Sequence, residues 1–237
     1  MPVKTILFDL DGTFLEYDMV QDFLPRYFRT LVAWMTPHLP PERFIPALEA
    51  GTDAITRNDG QWSNAEVFAA TFYPLTGMPR ETLEPHFEAF YREAFPTLHS
   101  IARPRPEARL TVELAFTLGY EVIIATNPYF PAVATLERLR WANIADFAYR
   151  HITTYENSTA VKPDARYYSE ILGIVGCQPA EALMVGDEAM DMAAGALGCL
   201  TYLIQNPATT EEALSLSPTF KGDLDQLREV LTQLSKS

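Results

Sequence analysis

The stretch Val3-Lys4-Thr5-Ile6-Leu7-Phe8-Asp9-Leu10-Asp11-Gly12-Thr13 decides how this chain is read. Its first six residues are mainly apolar and strand-forming, and they run into two aspartates spaced i and i+2. A glycine follows that tolerates positive φ, then a threonine. The pattern predicts a strand that delivers two carboxylates into a turn. In a parallel α/β sheet the carboxyl end of a strand is where ligands bind, so Asp9 and Asp11 would meet at the mouth of a site. One carboxylate could then attack phosphorus while the other moves protons. A buried strand ending in an ordinary Asp-Gly turn has the same letters, so the rest of the chain has to decide.

Downstream, the periodicity changes character once. Phe23, Leu24, Tyr27, Phe28, Leu31 and Trp34 recur at three and four, one face of a helix, and their aromatic stripe reads as core packing. Pro41 opens a second helix through Phe44, Leu48 and Ile55, which gives way at Asn58-Asp59-Gly60. Ser63 and Glu66 have the form of a capping box for a third, broken at Gly77 and Pro79, and a fourth carries Leu83, Phe87 and Phe90. Arg103-Pro104-Arg105-Pro106 reads as a stiff connector.

Strands and helices alternate thereafter: helix 107–118, strand 121–125, helix 130–141, strand 147–153, helix 163–175, strand 182–185, a short helix, strand 200–204 and a last helix 224–234 that Asp223 caps. Alternation of this kind requires a parallel sheet with helices on both faces. About 110 residues separate the first two strands, far more than the dozen or so a crossover needs. The helical unit therefore reads as an insertion. The expected division is a sheet core of residues 1–14 and 103–237 around a helical cap of residues 15–102.

With 237 residues and 48% hydrophobic composition, the chain is long enough for one large or two modest domains with real cores. The formal net charge of −13, without a basic run, disfavours nucleic acid and anionic membrane as partners. Cys177 and Cys199 lack a CxxC partner and read as free thiols of a reducing compartment, a disulfide or metal pair being the alternative. The amino terminus has no signal pattern and no stretch has the length of a membrane span, so a cytoplasmic location is expected.

A phosphoryl-transfer site at Asp9 and Asp11 needs donors, a cation and further carboxylates, and other strand ends offer them. Thr126 and Asn127 bring a hydroxyl and amide donors for phosphate oxygens. Lys162, just before a helix, can neutralise charge on the nucleophile and the phosphoryl group. Gly186-Asp187, with Asp191 beyond, add two carboxylates. Asp9, Asp11, Asp187 and Asp191 against Lys162 leave a charge of −3, which would repel a phosphate dianion. A divalent cation is implied, and an all-oxygen ligand set without Cys or His favours Mg²⁺ over Zn²⁺. The histidines at 38, 86, 99 and 151 show no ligand spacing.

Together these motifs resemble the haloacid dehalogenase superfamily. Asp9-Leu10-Asp11-Gly12-Thr13 stands as its first motif, Thr126-Asn127 as its second, Lys162 as its third, and Gly186-Asp187 with Asp191 as its fourth. The insertion resembles the helical cap of the phosphoglycolate-phosphatase-like members. The residues after Thr13 lack the Asp-Ser or Asp-Thr common in the family. The resemblance implies a five-stranded Rossmann-like three-layer core and a Mg²⁺-dependent phosphohydrolase of small phosphorylated metabolites. By similarity, Asp9 is the nucleophile that forms an aspartyl-phosphate and Asp11 the general acid and base. Asp9, the main-chain carbonyl of Asp11 and Asp187 hold the metal, with Asp191 helping directly or through water, while Thr126, the amide of Asn127 and Lys162 bind the phosphoryl group.

A closing cap would exclude water from the transfer, hinged near residues 14–19 and 101–106, with Tyr17 and the Asn58–Trp62 turn as candidate specificity elements. A phosphomutase using the same intermediate is the first competing reading. A dehalogenase fits less well, because such members lack the second aspartate. A non-catalytic binding protein on this fold would be expected to have lost one of these groups, and a dinucleotide-binding protein would need a GxGxxG after the first strand.

Overall fold

The computed structural model of the chain describes residues 2–206 and 209–236. β1 (Thr5–Phe8) is followed by β2 (Leu15–Glu16), a π-helical turn at Met19–Phe23, and α1 (Leu24–Met35), α2 (Pro41–Thr56), α3 (Asn64–Thr76) and α4 (Arg80–Ala89). Helical turns continue to Ser100, and then come β3 (Arg103–Pro104), α5 (Ala108–Thr117), β4 (Glu121–Ile124), α6 (Ala132–Trp141) and β5 (His151–Ile152). α7 (Ala165–Val175), β6 (Ala182–Gly186), α8 (Ala189–Met192), β7 (Leu200–Ile204), α9 (Glu211–Ser215), β8 (Phe220–Gly222) and α10 (Leu224–Leu234) complete the order.

Six strands form one sheet in the order β5-β4-β1-β6-β7-β8, every neighbouring pair parallel. The central strand, β1, is buried along its whole length between β4 and β6, with Phe8 beside Ile124 and Val185. Its side chains alternate as a strand requires: Ile6 and Phe8 join the larger apolar cluster, while Leu7 points the other way, to a cluster with Tyr167, Tyr168 and Met184. The larger cluster also takes in Phe23, Tyr27 and Phe95 of the helical stretch, so a continuous core joins the helices to the sheet.

The helix signals in the sequence correspond to local chemistry. Ser63 and Glu66 close a reciprocal capping box at α3, Gly77 ends that helix at φ +64°, and Asp223 caps α10 together with Gln226.

Three features differ from the sequence reading. The sheet has six strands rather than five, because Phe220–Gly222 adds an edge to β7. The expected strand over 147–153 shrinks to His151–Ile152, because Phe147 stacks on Phe116 of α5 at 5.4 Å instead of pairing. The connector at Arg103–Pro104 is itself a strand, antiparallel to Leu15–Glu16. Here both crossings between the sheet and the helices run side by side, and Arg105 donates from Nε and Nη2 to the Gly12 carbonyl at 3.3 and 3.1 Å.

Candidate active site

β1 carries the chain to Asp9 while the sheet still holds its backbone, the Asp9 amide donating to the Val185 carbonyl at 2.9 Å. The turn that follows needs glycine. Gly12 sits at φ +81°, and a Cβ there would lie 2.2 Å from Asp187 Oδ2. The same holds across the site, where a Cβ on Gly186 would meet the Asp191 carboxylate at 2.2 Å. Absent side chains at these two positions leave room for the carboxylates.

Asp9, Asp187 and Asp191 are brought together from the ends of β1 and β6 and from α8, each with a carboxylate oxygen within 4.8 Å of the others. Lys162, buried in the loop before α7, donates to Asp9 Oδ1 at 2.7 Å and Asp191 Oδ1 at 2.6 Å. Asp191 Oδ2 also accepts from the Glu188 amide at 3.0 Å. The Thr13 hydroxyl lies 3.4 Å from Asp9 Oδ2 and 3.2 Å from Asp187 Oδ1 and can donate to one at a time. Asn127 supports the lysine loop, its Oδ1 accepting from the Lys162 amide at 3.2 Å.

Burial is the largest electrostatic influence on Asp9 and Asp187. It pushes Asp9 well above the usual carboxylate range; Lys162 pulls the other way, but Asp191, Asp187 and Asp11 add to the rise. Asp187 is pushed up to about 7 by burial and then by Asp191 and Glu188. Burial works against the charge on Lys162, yet Asp191 and Asp9 override it and hold the ammonium well above its ordinary range.

This set fits a hard divalent cation. Three clustered carboxylates, with no Cys or His among the residues around them, supply the oxygen donors that Mg²⁺ takes.

Asp11 faces away from this cluster. Its carboxylate accepts from the Tyr17 hydroxyl on Oδ1, and on Oδ2 from Arg138 Nη1 and from Thr126 Oγ1, the last at 3.3 Å. Tyr17, expected near the helical stretch as a specificity element, is thus engaged with Asp11, and burial first, then Asp11, keeps its hydroxyl protonated. Trp62, in the candidate turn, is 61% exposed and belongs to no wall of the site cavity.

Sequence reasoning missed Arg138. It is 1% exposed, reaches Asp11 from α6, donates to Thr135 and lies over the Phe130 ring at 4.8 Å. It adds a second cation to the four-carboxylate, one-lysine tally. A signal existed: Arg138 falls in register with Ala134, Trp141 and Ala142, a charge on the buried stripe of its helix.

Asp9, Asp11, Tyr17, Thr126, Asn127, Arg138, Lys162, Asp187 and Asp191 line one cavity of about 860 Å³ between the sheet ends and the helical stretch. Comparison with known proteins places the chain among characterised sequences and folds. The chain is 25% identical over 204 residues to a phosphoglycolate phosphatase from Haemophilus influenzae, covering 84% of this chain and 86% of that protein. It is 24% identical over 246 residues to the pyrophosphatase PpaX of Bacillus cereus, covering 99% and 98%. The crystal structure of a predicted phosphoglycolate phosphatase from Haemophilus somnus superposes with a TM-score of 0.59 at 19% identity, covering 96% of this chain and 97% of that one. A sequence model described as haloacid dehalogenase-like hydrolase matches residues 3–198, and the chain belongs to that family of hydrolases.

Proposed function

We propose that the protein is a Mg²⁺-dependent phosphatase of small phosphate monoesters that works through a phosphorylated Asp9. The observation that carries this reading is Lys162 seated between Asp9 and Asp191, with Asp187 alongside and Asp11 held apart on its own donors. The names of the relatives support phosphate release, and a cavity shared by sheet and helices supports a small substrate. On this reading residues 15–102 are a cap over a core of residues 1–14 and 103–237.

In the first step a carboxylate oxygen of Asp9 attacks phosphorus, the bond from phosphorus to the ester oxygen breaks, and Asp11 gives that oxygen a proton. In the second, Asp11 takes a proton from water as the water oxygen attacks phosphorus, and cleavage of the bond to Asp9 frees phosphate. Lys162, the Thr126 hydroxyl and the main-chain amide of Asn127 hold the transferring oxygens. The carboxylates of Asp9, Asp187 and Asp191 and the main-chain carbonyl of Asp11 would hold Mg²⁺. When bound, it supplies the positive charge that keeps Asp9 ionised and admits a phosphate dianion. Phosphate release from a panel of monoesters, with Mg²⁺ and with chelator, tests the reading. Turnover that needs Mg²⁺ is expected; silence from every ester in folded, Mg²⁺-loaded protein overturns it.

Stability supplies a second test. Asp187 stands near 7 in the folded protein against 3.8 ordinarily, so without metal its contribution is present below about pH 4 and lost as pH rises through 7. Asp9 is shifted in the same direction. Metal binding needs the ionised acids, so stabilisation by Mg²⁺ grows with pH. At 100 times the dissociation constant it reaches about 2.7 kcal/mol, worth roughly 5–10 °C in Tm for a chain of this size. A thermal shift near zero at pH 5 and of that order at pH 8 is expected. An equal shift at both pH values contradicts the assignment of these ligands.

A further inference from the structure

The cavity is built for more than a phosphoryl group. Beyond Asp9 ring and aliphatic side chains from the helical stretch make up much of its wall, Phe28, Leu31, Leu48, Phe68, Phe87 and Tyr91 among them. Several hydroxyls on this wall are already engaged. Tyr27 and Tyr91 bond each other at 2.9 Å, Tyr129 bonds Thr56 at 2.9 Å, and Thr52 bonds the Leu48 carbonyl at 2.9 Å. These side chains therefore present ring faces and methyl groups to a ligand.

Charge gives a second, independent restriction. Three cations line the cavity among the described residues, and each is closed by a carboxylate. Arg80 holds Glu84 through two bonds at 2.5 and 2.8 Å, Arg138 holds Asp11, and Lys162 holds Asp9 and Asp191. The Arg138 Nε is buried and has no hydrogen-bond partner, but the charge of that guanidinium is matched by the Asp11 carboxylate on Nη1. Glu88 and Glu156 add negative charge to the lining. A substrate with a carboxylate or second phosphate on its body would find repulsion there and no open counter-charge.

Resting on the phosphatase reading above, we infer that the substrate is the phosphate monoester of an uncharged, apolar alcohol or phenol. Its body fills the aromatic chamber while only the phosphate is anionic. About 860 Å³ suits a ligand with a ring system or a medium alkyl chain, and most of it would stay water-filled around a two-carbon acid ester.

The test compares kcat/KM for 1-naphthyl phosphate, phosphoglycolate, pyrophosphate and phosphocholine in Mg²⁺. The naphthyl ester is expected to lead each of the others by at least about 30-fold, the effect of burying part of a bicyclic ring. Phe28→Arg, which places an unpaired cation on a half-exposed cavity wall, is expected to narrow the naphthyl-to-phosphoglycolate ratio by about tenfold or more. Equal or better turnover of phosphoglycolate, pyrophosphate or phosphocholine overturns the inference and leaves the phosphatase reading standing. If no ester is hydrolysed, that reading fails and calorimetry decides the chamber. Binding of naphthylmethyl phosphonate with a negative heat-capacity change supports an apolar ligand site, and no binding removes it.

Discussion

An Asp9→Asn protein folds and releases phosphate at least about 10⁴-fold more slowly than the parent, a loss of roughly 5.5 kcal/mol of transition-state stabilisation. The amide keeps the shape of the carboxylate in a position where shape matters, since Asp9 is buried under the sheet end beside Lys162 and Thr13. What it lacks is an anionic oxygen to attack phosphorus. Folding tolerates the change because burial and three neighbouring acids already oppose the Asp9 charge, and Lys162 retains Asp191. Steady-state phosphate assays beside thermal melts separate the two effects. Residual activity above a few per cent in a folded variant would remove Asp9 from the chemistry and point to direct attack by water.

Arg138→Met lowers kcat by roughly 10²-fold with little change in KM, through the general acid and base that the guanidinium positions. Arg138 touches Asp11, Thr135 and the Phe130 face and is buried, so its expected effect on the reaction runs through the orientation of Asp11. Its loss leaves Asp11 on Tyr17 and Thr126 alone. Breaking a buried ion pair from one side costs about 3–5 kcal/mol. Because the Asp11 side chain keeps 13% exposure at the cavity, about 2 kcal/mol is expected, read as a denaturation midpoint. The signature of positioning is selectivity. Aryl esters with good leaving groups need little protonation and should lose less than alkyl esters, and Arg138→Lys should restore part of the alkyl rate. Equal losses on both ester types would assign Arg138 a purely structural role.

Residues whose placement depends on local pattern were legible in the sequence. Asp9 and Asp11 follow a strand run that ends in a glycine turn, and Asp187 ends another strand, so sheet topology alone brings Asp9 and Asp187 together. Asp191 could be placed from its distance along a short helix. Arg138 could not, because its partner lies 127 residues away and only the docking of α6 on the sheet decides that this helix face is buried. Short edges were equally hidden. Three residues at Phe220–Gly222 and two at Arg103–Pro104 carry too little periodicity to announce a strand, and a proline argues against one. The aromatic run at Phe147–Tyr149 reads as a strand by composition, yet its rings stack on Phe116 of α5.

The antiparallel pairing of Leu15–Glu16 with Arg103–Pro104 has a mechanical consequence. If the helices move as the proposed cap, two separate tethers would let them tumble in many directions, whereas tethers zipped to each other would act as one axle and restrict the swing to a single arc. Arg105 bolts that axle to the Gly12 carbonyl, inside the turn that carries Asp11. Tyr17 sits one residue past the pairing and ends on the Asp11 carboxylate, while Phe95 from the far side stacks on Trp141 at 5.2 Å. Under the proposed cap reading, an outward swing of the helices would unlatch Phe95 from Trp141 and draw Tyr17 off Asp11 in the same stroke, so the proposed proton-transfer group would lose a donor whenever the chamber opened to solvent.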